Sequence, residues 1–275
     1  MQNQVDSWHK VANVREVPSP ALLVYPERVE ENIRRMLQIA SGPTRLRPHV
    51  KTHKLSEIVR MQMAHGISKF ECATIAEMEM TASCGAQDVL LAYQPVGPNV
   101  GRLVQLAKAF PNVKFSAIAD DPQILQALSA AAVQGGVQLE ILLDIDCGMH
   151  RSGVEPGAKA LEIYRLLTSL PSLKPAGLHA YDGHIHDRDL PARVEACKKA
   201  FAPVETLRKQ LISAGLPVPT VVAGGTPTFP IHAADTGVEC SPGTCLLWDA
   251  GYTAKLPDMM FLPAPLLLTR VVSKP

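Results

Sequence analysis

The chain has 275 residues, of which 47% are hydrophobic and 19% charged, and its formal net charge is +1. That length buries one barrel-sized core or two smaller ones. A charge near zero without any dense Lys/Arg run excludes a nucleic-acid surface. The start, MQNQVDSWHKV, lacks a charged segment followed by an apolar one, so no secretory signal is expected. The most apolar stretch, FLPAPLLLTRVV, is too short and too rich in proline to span a bilayer. Cys72, Cys84, Cys147, Cys197, Cys240 and Cys245 contain no CxxC pair. They are expected to be reduced thiols of a cytoplasmic protein.

The first apolar run is PALLVY (20–25). A helix is predicted directly after it, opened by Pro26 with Glu27, Glu30 and Glu31 near its first turn. Further runs follow as LRPHVK (46–51), KFECAT (69–74), DVLLAY (88–93), KFSAIA (114–119) and LEILLDID (139–146). PAGLHAY (175–181), TVVAGG (220–225) and VECSPG (238–243) complete the series. Most are unbroken rather than alternating, the pattern of strands covered on both faces in a parallel sheet. Helical patterns separate most of them, one of which starts at Asp121-Pro122 with Asp121 as N-cap.

This repeat predicts an α/β fold, a (β/α)8 barrel with one extra N-terminal strand. An open doubly wound sheet is the alternative. The link from Gly225 to Val238 is too short for a long helix. After Asp249 the helical pattern stops, and a loop followed by a strand over 266–272 is predicted. A lone strand is unstable, so that segment reads as the opening of a second, strand-rich domain.

In such a barrel the site lies at the C-terminal ends of the strands. Lys51, DIDCGMHRSG (144–153), HAYDGHIHD (179–187), AGGTPT (223–228) and ECSPGT (239–244) would converge there. A lysine at the inner end of a buried strand loses solvation, which favours the free amine, a nucleophile suited to a Schiff base with a carbonyl compound. The competing reading is a surface lysine at a helix start. Lys54, a turn further on, is expected to reach solvent. Gly224, Gly225 and Thr226 offer backbone N–H groups and a hydroxyl to a phosphate, with Gly243 and Thr244 as a second cradle. An ordinary glycine turn is the alternative.

Arg151 is placed to hold a phenolate or a carboxylate, or to pair with a neighbouring acid. The histidines of HAYDGHIHD suggest a metal or a polar loop, and Tyr181 could donate its phenol to a ligand. His49 and His53 straddle a strand end and are not read as a metal pair.

RPHVKTHK, GMHRSGV, GLHAYDGHIHD, AGGTPTFP and ECSPGTCLLWD occur in the order seen in D-threonine aldolases and their D-serine dehydratase-like relatives. The chain resembles this family of fold-type III pyridoxal phosphate enzymes, of which alanine racemase is a distant cousin. The similarity runs from SPALLVYPERVEENI (19–33) to TRVVSKP (269–275), and KFECATIAEMEM and DVLLAYQPVGP resemble the aldolase branch.

The resemblance implies that Lys51 carries the cofactor, with Arg151 beside its phenolic oxygen. It implies that Gly224, Gly225, Thr226, Gly243 and Thr244 hold its phosphate and that Tyr181 faces cofactor or substrate. His49 becomes a candidate proton carrier. Relatives often have an arginine two residues before the glycine of the last cradle, where this chain has Ser241, so the ring-nitrogen partner stays open.

The resemblance further implies a barrel of the alanine racemase type over 26–250. Residues 1–25 would join a C-terminal β-domain that starts at 251–275 and is truncated here. The ligands of a divalent metal (Mn, Mg or Zn) are then expected beyond this chain, and none within it. The implied activity is a lyase reaction, retro-aldol cleavage of D-3-hydroxy amino acids such as D-threonine to glycine and acetaldehyde. The alternatives are a dehydratase on the same substrates, a non-catalytic carrier of pyridoxal phosphate, and a metal-dependent hydrolase built on 179–187. A homodimer is expected by analogy.

Overall fold

The computed structural model describes residues 8–235 and 237–274. The strands are β1 (Ala21–Val24), β2 (Lys69–Cys72), β3 (Asp88–Leu91), β4 (Lys114–Ala119), β5 (Leu139–Asp144), β6 (Leu173–Ala180), β7 (Thr220–Ala223), β8 (Glu239–Cys240) and β9 (Pro265–Leu268). The helices are α1 (Pro26–Ala40), α2 (Ser56–Ala64), α3 (Ile75–Ser83), α4 (Pro98–Ala109), α5 (Pro122–Gly135), α6 (Ala158–Ser169), α7 (Leu190–Ser213), α8 (Phe229–Ala233) and α9 (Ala250–Lys255).

Strands β2 to β8 pair in chain order, every pair parallel. Each strand–helix–strand step therefore moves the sheet one place in the same direction, which curls it towards closure. Residues 45–49 supply the missing stave. Arg47 N–H donates to Cys240 O at 2.9 Å, and Cys240 N–H to Arg45 O at 2.8 Å. On the other side Glu71 N–H donates to Pro48 O at 3.0 Å.

The predicted strand over 46–51 is thus an extended stretch that bridges β8 and β2 without forming a ladder. Pro48 has no N–H to give, and the chain tightens into a 3-10 turn at Val50–Thr52. For the same reason β8 is shorter than predicted, since Pro242 interrupts it.

Alternation along these strands sorts the barrel into layers. Leu90, Ile118, Leu142, Ala176 and Val222 form an apolar plug inside. Their neighbours Val89, Leu91, Ala117, Leu143 and Val221 point outward into a continuous core under the helices. Two covered faces explain the unbroken apolar runs.

Below the plug lies a chain of charges. Lys174 meets Glu140 at 2.7 Å, Glu140 meets Lys114 at 2.8 Å, and Lys114 meets Asp88 at 3.5 Å. Asp88 meets Arg47 at 2.6 Å, Arg47 meets Glu239 at 2.9 Å, and Glu239 also pairs with Lys69. Above the plug the inward positions are His49, Glu71, Asp144, His179 and Ser241, which opens the mouth to chemistry.

The end of the chain departs from its prediction. Residues 250–255 form α9, whose N-terminus is capped where Tyr252 N–H donates to Asp249 Oδ1 at 2.9 Å. Leu256, Met259, Phe261 and Ala264 are buried in the barrel's own core, with Phe261 5.2 Å from Trp248. The predicted strand over 266–272 is the shorter β9, and it is not alone. It pairs antiparallel with β1, Ala21 opposite Leu268 and Val24 opposite Pro265. Among the described residues no helix is long and apolar enough to cross a membrane.

Candidate active site

A cavity of about 370 Å³ opens at the C-terminal ends of the strands. His49, Lys51, Tyr181, Gly225, Thr226, Gly243 and Thr244 line it, as do Glu71, His186, Ser241 and Tyr252.

Lys51 sits in the 3-10 turn that ends the closing stave. Its side chain is accessible through the cavity it lines. Burial against the barrel wall still lowers its pKa, partly opposed by Glu71 and reinforced by Arg151. The free amine is thereby favoured. His49 N-caps this turn, its Nδ1 accepting the Lys51 backbone N–H at 3.2 Å. His49 is buried, and that burial, helped by the charge on Lys51, pushes its pKa down to about 2. The ring is therefore neutral, and with Nδ1 accepting, its proton resides on Nε2.

His53 repeats the device, accepting Leu55 N–H at 3.1 Å and turning away from the cavity. Lys54 reaches solvent as expected, its ammonium on Lys51 O at 2.5 Å.

Tyr181 extends from the end of β6. Its ring centroid is 5.5 Å from Lys51 Nζ and 4.8 Å from the Arg151 guanidinium carbon. Arg151 thus stacks on an aromatic face and has no acidic partner within ion-pair distance among the described residues. Burial pushes the Tyr181 phenol above its ordinary value in spite of Arg151. Two glycines make room for the ring. A Cβ on Gly183 would fall 2.3 Å from Tyr181 Cε1, and one on Gly225 would fall 3.0 Å from Cε2.

The two cradles meet across the cavity. Thr244 N–H donates to Thr226 Oγ1 at 3.0 Å. No protein acceptor is found for the backbone N–H of Thr226 or of Gly243 among the described residues. Gly224 and Gly225 serve differently from expectation. Gly224 adopts φ +80°, where an added Cβ would fall 3.2 Å from His232, and Gly225 N–H turns to Asp182 Oδ1 at 3.3 Å. That hydrogen bond occupies the Gly225 N–H, as the bond to Thr226 Oγ1 occupies that of Thr244.

Beneath the amine lies a polar relay. Ser152 Oγ donates to Asp144 Oδ2 at 2.9 Å, and His179 Nδ1 to Asp144 Oδ1 at 2.7 Å. His179 Nε2 is 4.0 Å from Glu71 Oε1, and His49 Nε2 is 3.7 Å from the same oxygen. At these lengths neither is a hydrogen bond, and His49, being neutral, makes no ion pair there. Burial disfavours the His179 cation, but Asp144 outweighs it and raises the pKa. Burial raises Glu71, with His179 and Lys51 opposing. Glu71 Oε2 has no hydrogen-bond partner among the described residues.

Sequence reasoning passed over Glu71. The signal was a lone acid inside an apolar strand, at an inward position.

The HAYDGHIHD segment scatters. His179 turns to Asp144, Tyr181 and His186 enter the cavity, and His184 lies against Gly148 in a neighbouring hollow. Asp182 instead joins Cys197 and His232 behind the cradle. All six cysteines are free.

A parallel barrel with a lysine at the end of its closing stave and a two-part backbone cradle opposite has the architecture of the fold-type III pyridoxal phosphate enzymes. Residues 24–250 match the family described as alanine racemase, N-terminal domain, and the chain belongs to that family, within its branch of D-threonine aldolase and D-serine dehydratase-like proteins.

It is 32% identical over 266 residues to a D-threonine aldolase of Arthrobacter, covering 94% of this chain and 69% of that one. It is 31% identical over 236 residues to a D-threo-3-hydroxyaspartate dehydratase of Delftia, covering 84% and 61%. The solved D-threonine aldolase of Filomicrobium marinum superposes with a TM-score of 0.85 at 30% identity, over 91% of this chain and 68% of that one. The chain thus spans between 61% and 69% of the length of these relatives.

Proposed function

We propose that this chain is the cofactor-binding barrel of a lyase that cleaves D-3-hydroxy amino acids between Cα and Cβ, with D-threonine giving glycine and acetaldehyde. The observation that carries the reading is the Lys51 amine, its charged form disfavoured, opening on the same cavity as the unpaired N–H groups of Thr226 and Gly243.

These residues fit pyridoxal phosphate. An amine whose charged form burial disfavours suits its aldehyde, and free N–H groups with the Thr226 hydroxyl suit its phosphate. Gly243 is shaped for close approach, because a Cβ there would lie 3.1 Å from His49 O. When bound, the cofactor supplies the sink for the electron pair released as the Cα–Cβ bond breaks.

The chain's own groups bind, orient and move protons. Lys51 would hold the aldehyde end, Thr226, Gly243 and Thr244 would hold the phosphate end, and Tyr181 with Arg151 would lie towards the phenolic oxygen. His49 fixes the Lys51 backbone through Nδ1 and keeps a proton on Nε2, facing Glu71. His186 and Glu71 open on the cavity and provide the imidazole and carboxylate for proton transfer. One takes the β-hydroxyl proton as the bond breaks, and one returns a proton to Cα.

A divalent metal at the β-hydroxyl belongs to the expectation for this branch. Among the described residues the cavity lining forms no ligand set for it, and the Asp182, Cys197 and His232 group is buried elsewhere. Cytoplasmic location and a homodimer complete the reading. So does a role for residues 1–25 and 251–275 in a β-domain, supported by the pairing of β1 with β9, with Leu256 to Ala264 as the segment that ties it to the barrel core.

Borohydride reduction of protein loaded with pyridoxal phosphate, followed by peptide mapping, is expected to place a pyridoxyl group on Lys51. Its absence there sinks the proposal. The Delftia relative favours one second reading, expulsion of the β-hydroxyl as water. Acetaldehyde from D-threonine supports the aldolase, and 2-oxobutanoate supports the dehydratase. Assays with and without manganese test the metal.

A further inference from the structure

Asp182 follows Tyr181 at the end of β6, and side chains of successive extended residues point to opposite sides. Tyr181 enters the cavity, whereas Asp182 turns back into the wall and is buried. Its Oδ1 accepts Gly225 N–H at 3.3 Å and the Thr228 hydroxyl at 2.8 Å. His232 Nε2 donates to its Oδ2 at 2.8 Å, and Cys197 Sγ lies 3.3 Å from that nitrogen. A buried carboxylate is costly unless surrounded by donors, and here three donors surround it, with Cys197 Sγ 3.9 Å from Oδ2 as a fourth neighbour. The structure does this with residues from the β6 loop, the loop after β7, α7 and α8.

We infer that Asp182 is the positioning residue of the phosphate cradle, fixing the Gly225-Thr226 loop at a set distance from the Tyr181 ring. The inference rests on the pyridoxal phosphate reading of the cavity. The carboxylate anchors Gly225 by its amide. A Cβ on Gly225 would fall 3.0 Å from the Tyr181 ring, so the loop and the ring are closely apposed, and the next residue, Thr226, receives the Thr244 N–H that joins the two cradles. One side chain therefore sets both halves of the anion site without touching the anion. Its influence acts on the phosphate end of a ligand, leaving the Lys51 end alone.

The test compares binding of pyridoxal phosphate with that of pyridoxal, which lacks the phosphate, to the full chain by absorbance titration. Asp182→Ala is expected to raise the Kd for pyridoxal phosphate about tenfold or more, the scale of one lost hydrogen bond to a charged acceptor. The Kd for pyridoxal is expected to change less than about threefold. Asp182→Asn keeps the Oδ1 acceptor and is expected to stay within about threefold of wild type for both compounds. Thr228→Val, which removes one donor, provides the same comparison should Asp182→Ala not fold, and is expected to weaken pyridoxal phosphate alone.

Unchanged binding of pyridoxal phosphate by Asp182→Ala, or by Thr228→Val where Asp182→Ala does not fold, overturns the inference, and so does an equal loss for both compounds. A stoichiometric metal in the wild type that disappears with Asp182→Ala also overturns it, because the cluster would then be a metal site. Wild-type protein that binds neither compound sinks the cofactor reading itself, and this inference with it.

Discussion

Lys51 and His49 are joined through the backbone, the amide of the lysine donating to Nδ1 of the histidine at 3.2 Å. The contact holds the turn that aims the amine, and it uses the lone pair through which a histidine would ordinarily take a proton. His49 is thus an anchor first. His49→Ala is expected to lower the yield of reduced pyridoxyl-Lys51 at limiting cofactor about tenfold, in line with one lost cap. His49→Asn, whose side-chain oxygen can accept the same N–H, is expected to recover most of it. Equal yields from Ala and Asn variants would show that the cap plays no part.

The neighbouring cap gives a stability prediction with a definite sign. Burial pushes the pKa of His53 down to about 4, below its ordinary 6.5. Between pH 6.5 and 4 the unfolded chain takes up a proton that the folded chain refuses. Stability therefore falls as the pH drops through that window, by about 1.4 kcal/mol per pH unit for one proton. His49, pushed to about 2, extends the same trend to lower pH. His53→Asn keeps an acceptor for Leu55 N–H and removes the titrating ring. Urea midpoints measured from pH 7 to 4 are expected to fall less steeply for this variant than for wild type.

Gly243 gives a test of cradle shape. Its φ of −112° is open to any residue, so a side chain there is resisted by space and not by backbone strain. An added Cβ would meet His49 O at 3.1 Å and Thr52 Oγ1 at 3.2 Å. Gly243→Ala is expected to fold normally by circular dichroism while its Kd for pyridoxal phosphate rises about tenfold, a loss of about 1.4 kcal/mol. An unchanged Kd would remove Gly243 from the cradle.

What could be read along the sequence was whatever repeats or stays local. KFSAIA matched β4 residue for residue because both faces of that strand are covered, leaving no alternation to blur its ends. Lys51, Tyr181, Thr226 and Gly243 each sit at the end of a recognisable run, and topology alone brings them to one mouth. The stave at 46–49 was harder, since Pro48 removes the ladder while leaving the position. AGYTAK gave no helical signal because six residues hold less than two turns of periodicity. Glu71 read as a stray polar residue until β2 was seen to point it inward. Asp182, Cys197 and His232 come from three different elements, and no spacing along the chain connects them.

The opposite end of the barrel gives the last prediction. Arg47 belongs to the same short stave as His49, and alternation points it to the same side, two residues lower. There it holds Asp88 with two nitrogens, at 2.6 and 3.1 Å, and Glu239 with a third at 2.9 Å. Its side chain is 5% exposed and those of its partners 14% and 15%, so water can replace little of this pairing. Glu239 belongs to β8, beside the stave, and Asp88 to β3, one strand beyond β2, and the guanidinium stands between two carboxylates that would otherwise repel. Burial disfavours the Arg47 cation, but both acids outweigh it and hold it charged. Arg47→Met keeps the volume and removes the charge, leaving Asp88 only Lys114 and Glu239 only Lys69, and breaking such a buried pair costs about 3–5 kcal/mol. Removing Asp88 as well relieves the repulsion, so the double variant Arg47→Met with Asp88→Asn is expected to be more stable than Arg47→Met alone. Urea unfolding of the three proteins measures both steps. The apolar plug of Leu90, Ile118, Leu142, Ala176 and Val222 separates Arg47 from the cavity. Folded Arg47→Met is therefore expected to bind pyridoxal phosphate as wild type does. A parallel loss of binding would mean that this charge chain also shapes the mouth, against the layered arrangement of the barrel.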